Sequence, residues 1–271
     1  MKKIITIFDG RNFSEGVFEF IKWQNATSPV LLTGVFLNAI DYATAWNYPM
    51  FLSGYLNTVV EDFDTIASNV QKFKNLCERN GIEYRVHEDI GTGVMELIRK
   101  ETRFSDLLVM SGDFFYNDTF YIDPDSYLKD TLHESECPVL LLPDNFKAPV
   151  NNILAYDGSA SSVYAIKQFS TLFPAWRGNK THIVYASVKG KEIPDRIYIE
   201  ELAVRHFPNL IIDALQMDAR KYFNTWLTDQ PRSILVTGAY GRSSLSESLK
   251  NSFVAEIVME HKIPVFVAHS H

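Results

Sequence analysis

The chain says nearly the same thing twice. Ile4-Ile5-Thr6-Ile7-Phe8-Asp9-Gly10 near the start is answered by Ile153-Leu154-Ala155-Tyr156-Asp157-Gly158-Ser159 at the midpoint. Each is an apolar run that stops at an aromatic-Asp-Gly turn and leads into a helical pattern. The halves also end alike, with Glu136-Cys137-Pro138-Val139-Leu140-Leu141-Leu142 in one and Lys262-Ile263-Pro264-Val265-Phe266-Val267 in the other. A repeat of roughly 130 to 150 residues is far longer than a solenoid unit, so it reads as two duplicated domains. The expected domains are 1–146 and 151–271, with the polar, proline-bearing stretch 143–151 as the joint. At 271 residues and 46% hydrophobic, the chain has room for both cores.

The order of elements points to one fold class. Apolar strands are expected at 3–8, Val30 to Leu37, 82–88, Leu107 to Met110 and 138–142. Helical patterns lie between them, including a long one near 58–79 that Asn80-Gly81 stops. The second half repeats the order, with strands at 152–156, 181–186, 209–215, 233–237 and 264–268. Its helices are expected at 160–173, 195–206, 218–228 and 252–261. Val30 to Leu37 is apolar almost throughout, as a parallel strand covered on both faces must be. Alternating strands and helices of this kind imply an α/β chain with two doubly wound, five-stranded parallel sheets and right-handed crossovers.

Composition removes several classes of function. Residues 1–147 hold 13 Lys and Arg against 22 Asp and Glu, whereas the remainder holds 13 against 11. Neither half carries a basic stripe, which argues against a nucleic-acid surface. No stretch approaches the roughly 18 apolar residues of a membrane span. The run after Met1-Lys2-Lys3 is broken at Asp9, too early for a signal peptide. Cys77 and Cys137 have no CxxC spacing and read as reduced structural thiols. A cytoplasmic protein is therefore expected. His133-Glu134-Ser135-Glu136 lacks the second His of a zincin, and His269 and His271 read as a frayed terminus, so no metal ligands are expected. No Walker A sequence, Gly-x-Ser-x-Gly elbow or GxGxxG is present, and no catalytic residue is assigned.

One loop carries the strongest signal. Gly238-Ala239-Tyr240-Gly241 follows the fourth strand of the second half; nine residues later come Asn251-Ser252. With the Asp-Gly-Ser turn after the first strand and the Ile-Pro-Val-Phe-Val that opens the fifth, this resembles a tandem universal stress protein. That family has a Rossmann-like, adenine nucleotide alpha hydrolase-like domain. Its nucleotide-binding members carry Gly-x2-Gly-x9-Gly-(Ser/Thr) for the ATP phosphates and ribose. Here the spacing, two glycines and the Ser match, and Asn251 departs. The resemblance implies ATP or another adenine nucleotide, alone or with Mg2+, in the second half. It implies Asp157 and Gly158 at the base, Ala186 lining the base pocket, Gly238, Gly241 and Arg242 at the phosphates, and Asn251 and Ser252 at the phosphate–ribose region. It also implies an internal pseudo-dimer through the last strand of each half, with a further homodimer left open.

General physics points the same way. In open α/β sheets ligands bind outside the carboxyl ends of the strands, at the switch in strand order. Glycines let backbone N–H groups approach phosphates closely, and a helix start adds its positive end. Against this stand plainer readings: glycines that only turn the chain, and Asp157 as a turn-forming residue in Asx geometry. If the family glycine serves φ > 0, Asn251 is the least costly replacement; if it makes room for a phosphate, Asn251 blocks the site.

The first half has lost the motif. Ser111-Gly112-Asp113-Phe114-Phe115 stands in its place, followed by Asp118, Asp123, Asp125 and Asp130, carboxylates that would oppose a triphosphate. The expected function is a stress-response sensor or regulator that binds an adenine nucleotide. The rivals are a nucleotide-free interaction scaffold of the same fold and a slow ATPase or nucleotide transferase.

Overall fold

The computed structural model describes residues 1–8, 13–36, 52–88, 94–112, 130–188, 190, 192–217, 219–238, 257 and 263–269. Ten strands join in one sheet: β1 (Lys2–Phe8), β2 (Val30–Phe36), β3 (Glu83–Glu88), β4 (Leu107–Ser111), β5 (Val139–Leu142), β6 (Asn151–Ala155), β7 (Lys180–Ala186), β8 (Leu210–Leu215), β9 (Ser233–Gly238) and β10 (Val265–Ala268). Their order is β3-β2-β1-β4-β5-β10-β9-β6-β7-β8. Each half is thus a five-stranded, doubly wound unit with its strands parallel, and the α/β class expected from the sequence is the class observed. The halves meet where β5 pairs antiparallel with β10, in the register Val265↔Leu141, Phe266↔Leu140 and Val267↔Val139. Pro138 and Pro264 precede these strands, and their carbonyls accept the N–H groups of Leu108 and Leu235 at 2.9 and 3.0 Å. Their missing donors cost nothing there.

Strand alternation explains why the runs are apolar on every residue. In β1, Ile4 and Phe8 pack into one core while Ile5 and Ile7 pack into the other. The first core lies under α1 (Glu15–Thr27), α2 (Leu52–Arg79), α4 (Ala160–Leu172) and α5 (Arg196–Val204). The second lies under α3 (Val94–Arg103), the helical residues 130–134, α6 (Ala219–Thr228) and Ile257. The first core runs without a break from one half into the other. Phe20 of α1 approaches Phe173 and Trp176 at ring separations of 6.1 and 6.2 Å, and Trp23 stacks on Trp176 at 4.9 Å. The Lys2 ammonium donates to the Leu172 carbonyl across the same seam. Burial lowers the Lys2 pKa, an effect that Asp106 partly opposes.

Helix ends follow the residues that mark them. Ser14 caps α1 by accepting from Val17 N–H at 3.3 Å, and Ser159 caps α4 by accepting from Ser162 N–H at 3.1 Å. Gly81, at φ 60°, ends α2 with Ile82 N–H bonded to the Cys77 carbonyl at 2.9 Å and Gly81 N–H to the Glu78 carbonyl at 3.2 Å. Only a left-handed residue closes that pair of bonds, so the Asn80-Gly81 stop falls where the sequence puts it. The start of α2 differs from the reading: the helix opens at Leu52, six residues before the expected 58. The helix expected at 160–173 ends at Leu172 and gives way to a 3-10 turn over Pro174–Trp176.

Candidate functional site

The second half places its switch point between β6 and β9. From β6 the chain crosses to β7 on one side, and from β8 it returns to β9 on the other, so the strands' carboxyl ends part there. The β6–β9 register pairs Leu154 with Val236; carried two residues on, it sets Gly238 beside Tyr156. On the other flank, β7 runs alongside β6 and ends at Ala186, which is 3% exposed. Asp157, Gly158, Ala186 and Gly238 therefore share one rim. Gly241, Arg242, Asn251 and Ser252, expected at the phosphates and ribose, lie outside the described residues.

The geometry gives three of these residues local work. Asp157 Oδ1 accepts from Ser159 N–H at 2.8 Å, an Asx turn that aims the chain into α4. Gly158 sits at φ 82°, and a Cβ there would come within 2.8 Å of the Pro194 side chain. Both facts require glycine. At Gly238, a Cβ would lie 2.5 Å from Ser161 C and 2.6 Å from Ser162 N. The first turn of α4 presses directly on this strand end, so Gly238 is required by helix-on-strand packing. The motif reading missed this reason; a glycine at the last position of a buried strand was the available signal.

A nucleotide needs donors for its phosphates and a slot for its base. Among the described residues, the rim supplies the carboxylate of Asp157 and the small side chain of Ala186, which fit a base. Tyr156 is 1% exposed and donates its hydroxyl to the Pro194 carbonyl at 2.9 Å. Burial, then Asp195 and Asp157, raise its pKa and keep it a donor. The same tyrosine opens onto a cleft of about 550 Å³ between α4 and α5, walled by Val163, Tyr164, Lys167, Asp195 and Tyr198. Sequence patterning gave no hint of it, because its walls come from two helices.

The first half is built differently at the matching place. Phe13 stacks on Phe8 at 4.9 Å, and the Lys72 ammonium lies 4.5 Å from the Phe13 ring centre. Ser14, the α1 cap, donates to Asp144 Oδ1 at 2.7 Å, and Ser111 donates to the same oxygen at 3.3 Å. Asp144 thus stands beside the α1 N-terminus, where it is favoured by the helix dipole. Here the helix rather than the strand supplies the glycine: a Cβ on Gly16 would meet the Pro143 carbonyl oxygen at 2.2 Å. Asp9 and 113–129, with the acidic and aromatic residues noted in the sequence, lie outside the described residues. No group of metal-ligating side chains is found among the described residues. No helix among them is long and apolar enough to cross a membrane.

Comparison with known proteins separates fold from family. No protein-family model matches the chain, and no curated protein matches it. Solved structures do match. The crystal structure of a universal stress protein from Archaeoglobus fulgidus DSM 4304 superimposes with a TM-score of 0.67, covering 99% of this chain and 96% of that one at 17% identity. At that identity the similarity establishes architecture and nothing finer. The chain has the α/β fold of a universal stress protein along its whole length.

Proposed function

We propose that the protein is a stress-response sensor or regulator whose second half binds an adenine nucleotide at the β6–β9 switch point. The observation that carries the reading is the placement of Asp157 and Gly238 on either side of that crevice, with Ala186 beside them. Asp157 would accept from the exocyclic amine of the base. Gly241, Arg242, Asn251 and Ser252, which follow Gly238 in the sequence, would take the phosphates and ribose. The proposed domains, 1–146 and 151–271, divide the labour: the first carries no matching motif, so one nucleotide binds per chain. Calorimetry with ATP and AMP tests this. The expected result is a single site, abolished by Gly241→Asp, which sets a carboxylate against the phosphates. Two equivalent sites, or none, would overturn it. Asn251→Gly is expected to tighten binding modestly if the position serves a positive φ.

A second reading, a nucleotide-free scaffold, is favoured by the Asx turn at Asp157 and by the packing of Gly238 on α4. Those contacts suffice to explain both residues without a ligand. Absence of copurifying nucleotide, together with no thermal shift from ATP, AMP or cyclic dinucleotides, selects it. Magnesium-dependent turnover that vanishes in Asp157→Ala would select the slow ATPase instead.

A further inference from the structure

The two ends of the sheet are finished differently. β3 closes one end with Glu83, Arg85 and His87, paired as Arg85–Glu83 at 3.6 Å and His87–Glu101 at 2.7 Å. Charges spaced along an edge strand deter the addition of another strand. β8 closes the other end with Leu210, Ile211, Ile212, Asp213, Ala214 and Leu215. Its one charged side chain, Asp213, is tied to His182 at 2.5 Å. Ile211 is 39% exposed and Ala214 is exposed as well.

The backbone of β8 faces two ways. Thr181 N–H donates to the Asn209 carbonyl at 2.9 Å, and Ser187 N–H to the Leu215 carbonyl at 3.0 Å. The alternation between those points turns the amides and carbonyls of Ile211 and Asp213 toward β7. Leu210, Ile212 and Ala214 therefore aim their own N–H and C=O groups away from the sheet. Among the described residues no strand pairs with them. Beside this edge, α5 and β8 flank a groove of about 350 Å³ lined by Arg196, Glu200, Val204, Leu210 and Ile212. Val204 is 52% exposed, and Ile197 and Tyr198 on the same helix are 71% and 73% exposed.

We propose that β8 pairs antiparallel with β8 of a second copy of this chain, about a two-fold axis through Ile212. Ile212 then faces Ile212, and Leu210 faces Ala214. Each of these residues exchanges both of its outward bonds with its opposite, the pattern of a hydrogen-bonded antiparallel pair. The arrangement is self-complementary, as a two-fold interface must be. It also brings two copies of Arg196 and of Glu200 into one groove with balanced charge, while Val204 and Leu210 supply apolar filling. A foreign strand could take the backbone bonds but would not match the groove's own charges. The result is one continuous sheet through two chains, independent of whether a nucleotide binds.

Sedimentation of the full-length protein over a concentration series, with amide exchange on the same samples, tests the proposal. The expected result is a monomer–dimer equilibrium reaching twice the chain mass, with exchange at Leu210, Ile212 and Ala214 slowing as dimer forms. Ile212→Pro removes an outward N–H that β7 does not use, so a folded monomer is expected. Ala214→Glu is the second variant, at an exposed position, and decides the matter if the proline variant does not fold. It sets a carboxylate opposite the apolar Leu210 of the second copy and should also give a monomer with an unchanged circular dichroism spectrum. A wild-type monomer at every concentration overturns the proposal. In that event slow exchange at the three amides would mean that the chain covers its own edge, and fast exchange that nothing does. A dimer that survives Ala214→Glu overturns it too, because the interface would then lie elsewhere.

Discussion

Gly238 has no side chain because the first turn of α4 fills the place where one would go. Its would-be Cβ lies under 3 Å from backbone atoms of Ser161 and Ser162, which cannot rotate away. Gly238→Ala should therefore destabilise the protein by about 3 kcal/mol, the upper part of the overpacking range, read as a shifted urea midpoint. The same substitution is a poor probe of nucleotide binding, since it damages the fold first. The two thiols give a prediction of opposite kind. Burial pushes both Cys77 and Cys137 up from an ordinary value of 9.0 to about 12. Each stays protonated in the native state after the unfolded chain has begun to ionise, so the native form holds more protons there. Their contribution to stability is complete below pH 9 and is lost as pH rises toward 12. At neutral pH neither thiol should react with a disulfide reagent until denaturant is added; fast labelling of the native protein would contradict this.

At the scale of elements, Asn152 holds the start of β6 to its neighbours. It is fully buried, and its amide donates to the Trp176 carbonyl at 2.8 Å and to Thr181 Oγ1 at 2.9 Å. Asn179 donates back to its oxygen at 3.2 Å. Asn152→Leu would remove all three bonds and leave the Trp176 carbonyl with the Asn179 N–H alone, at a cost of about 2 to 3 kcal/mol by denaturation. Most elements were legible in the sequence, because strands buried on both faces read as unbroken apolar runs and caps such as Ser14, Ser159 and Gly81 mark helix ends locally. The first turn of α2 was not, since Leu52-Ser53-Gly54-Tyr55 has neither cap nor clean period. The rim of the candidate site was legible through Asp157 and Gly238, but their local duties were not. An Asx bond and a helix pressed on a strand end depend on what lies across the fold, which spacing along the chain does not report. Asp195 is another such case: it adopts φ 48° at the start of α5, and nothing in its sequence context announces a left-handed residue.

At the scale of the whole molecule, the β5–β10 ladder and the aromatic seam of Phe20, Trp23, Phe173 and Trp176 make one core of two halves. Each large aromatic side chain buried there contributes about 1.5 to 3 kcal/mol, which a separated half would forfeit. Residues 1–147 and 148–271 expressed apart should therefore be poorly folded alone and recover structure when mixed. Leu141→Pro should lower both halves together in a single thermal transition, seen by calorimetry. Two independent, stable monomers would show that the seam carries no energy. The antiparallel junction has one more consequence. Because every strand of the first half points one way and every strand of the second the other, the two carboxyl rims lie at opposite ends of the molecule. Among the described residues neither rim lends a side chain to the other, so a substitution at the Ser14–Asp144–Ser111 knot should leave the β6–β9 rim undisturbed. The two rims are spatially insulated: what either one meets, it meets on its own side of the sheet.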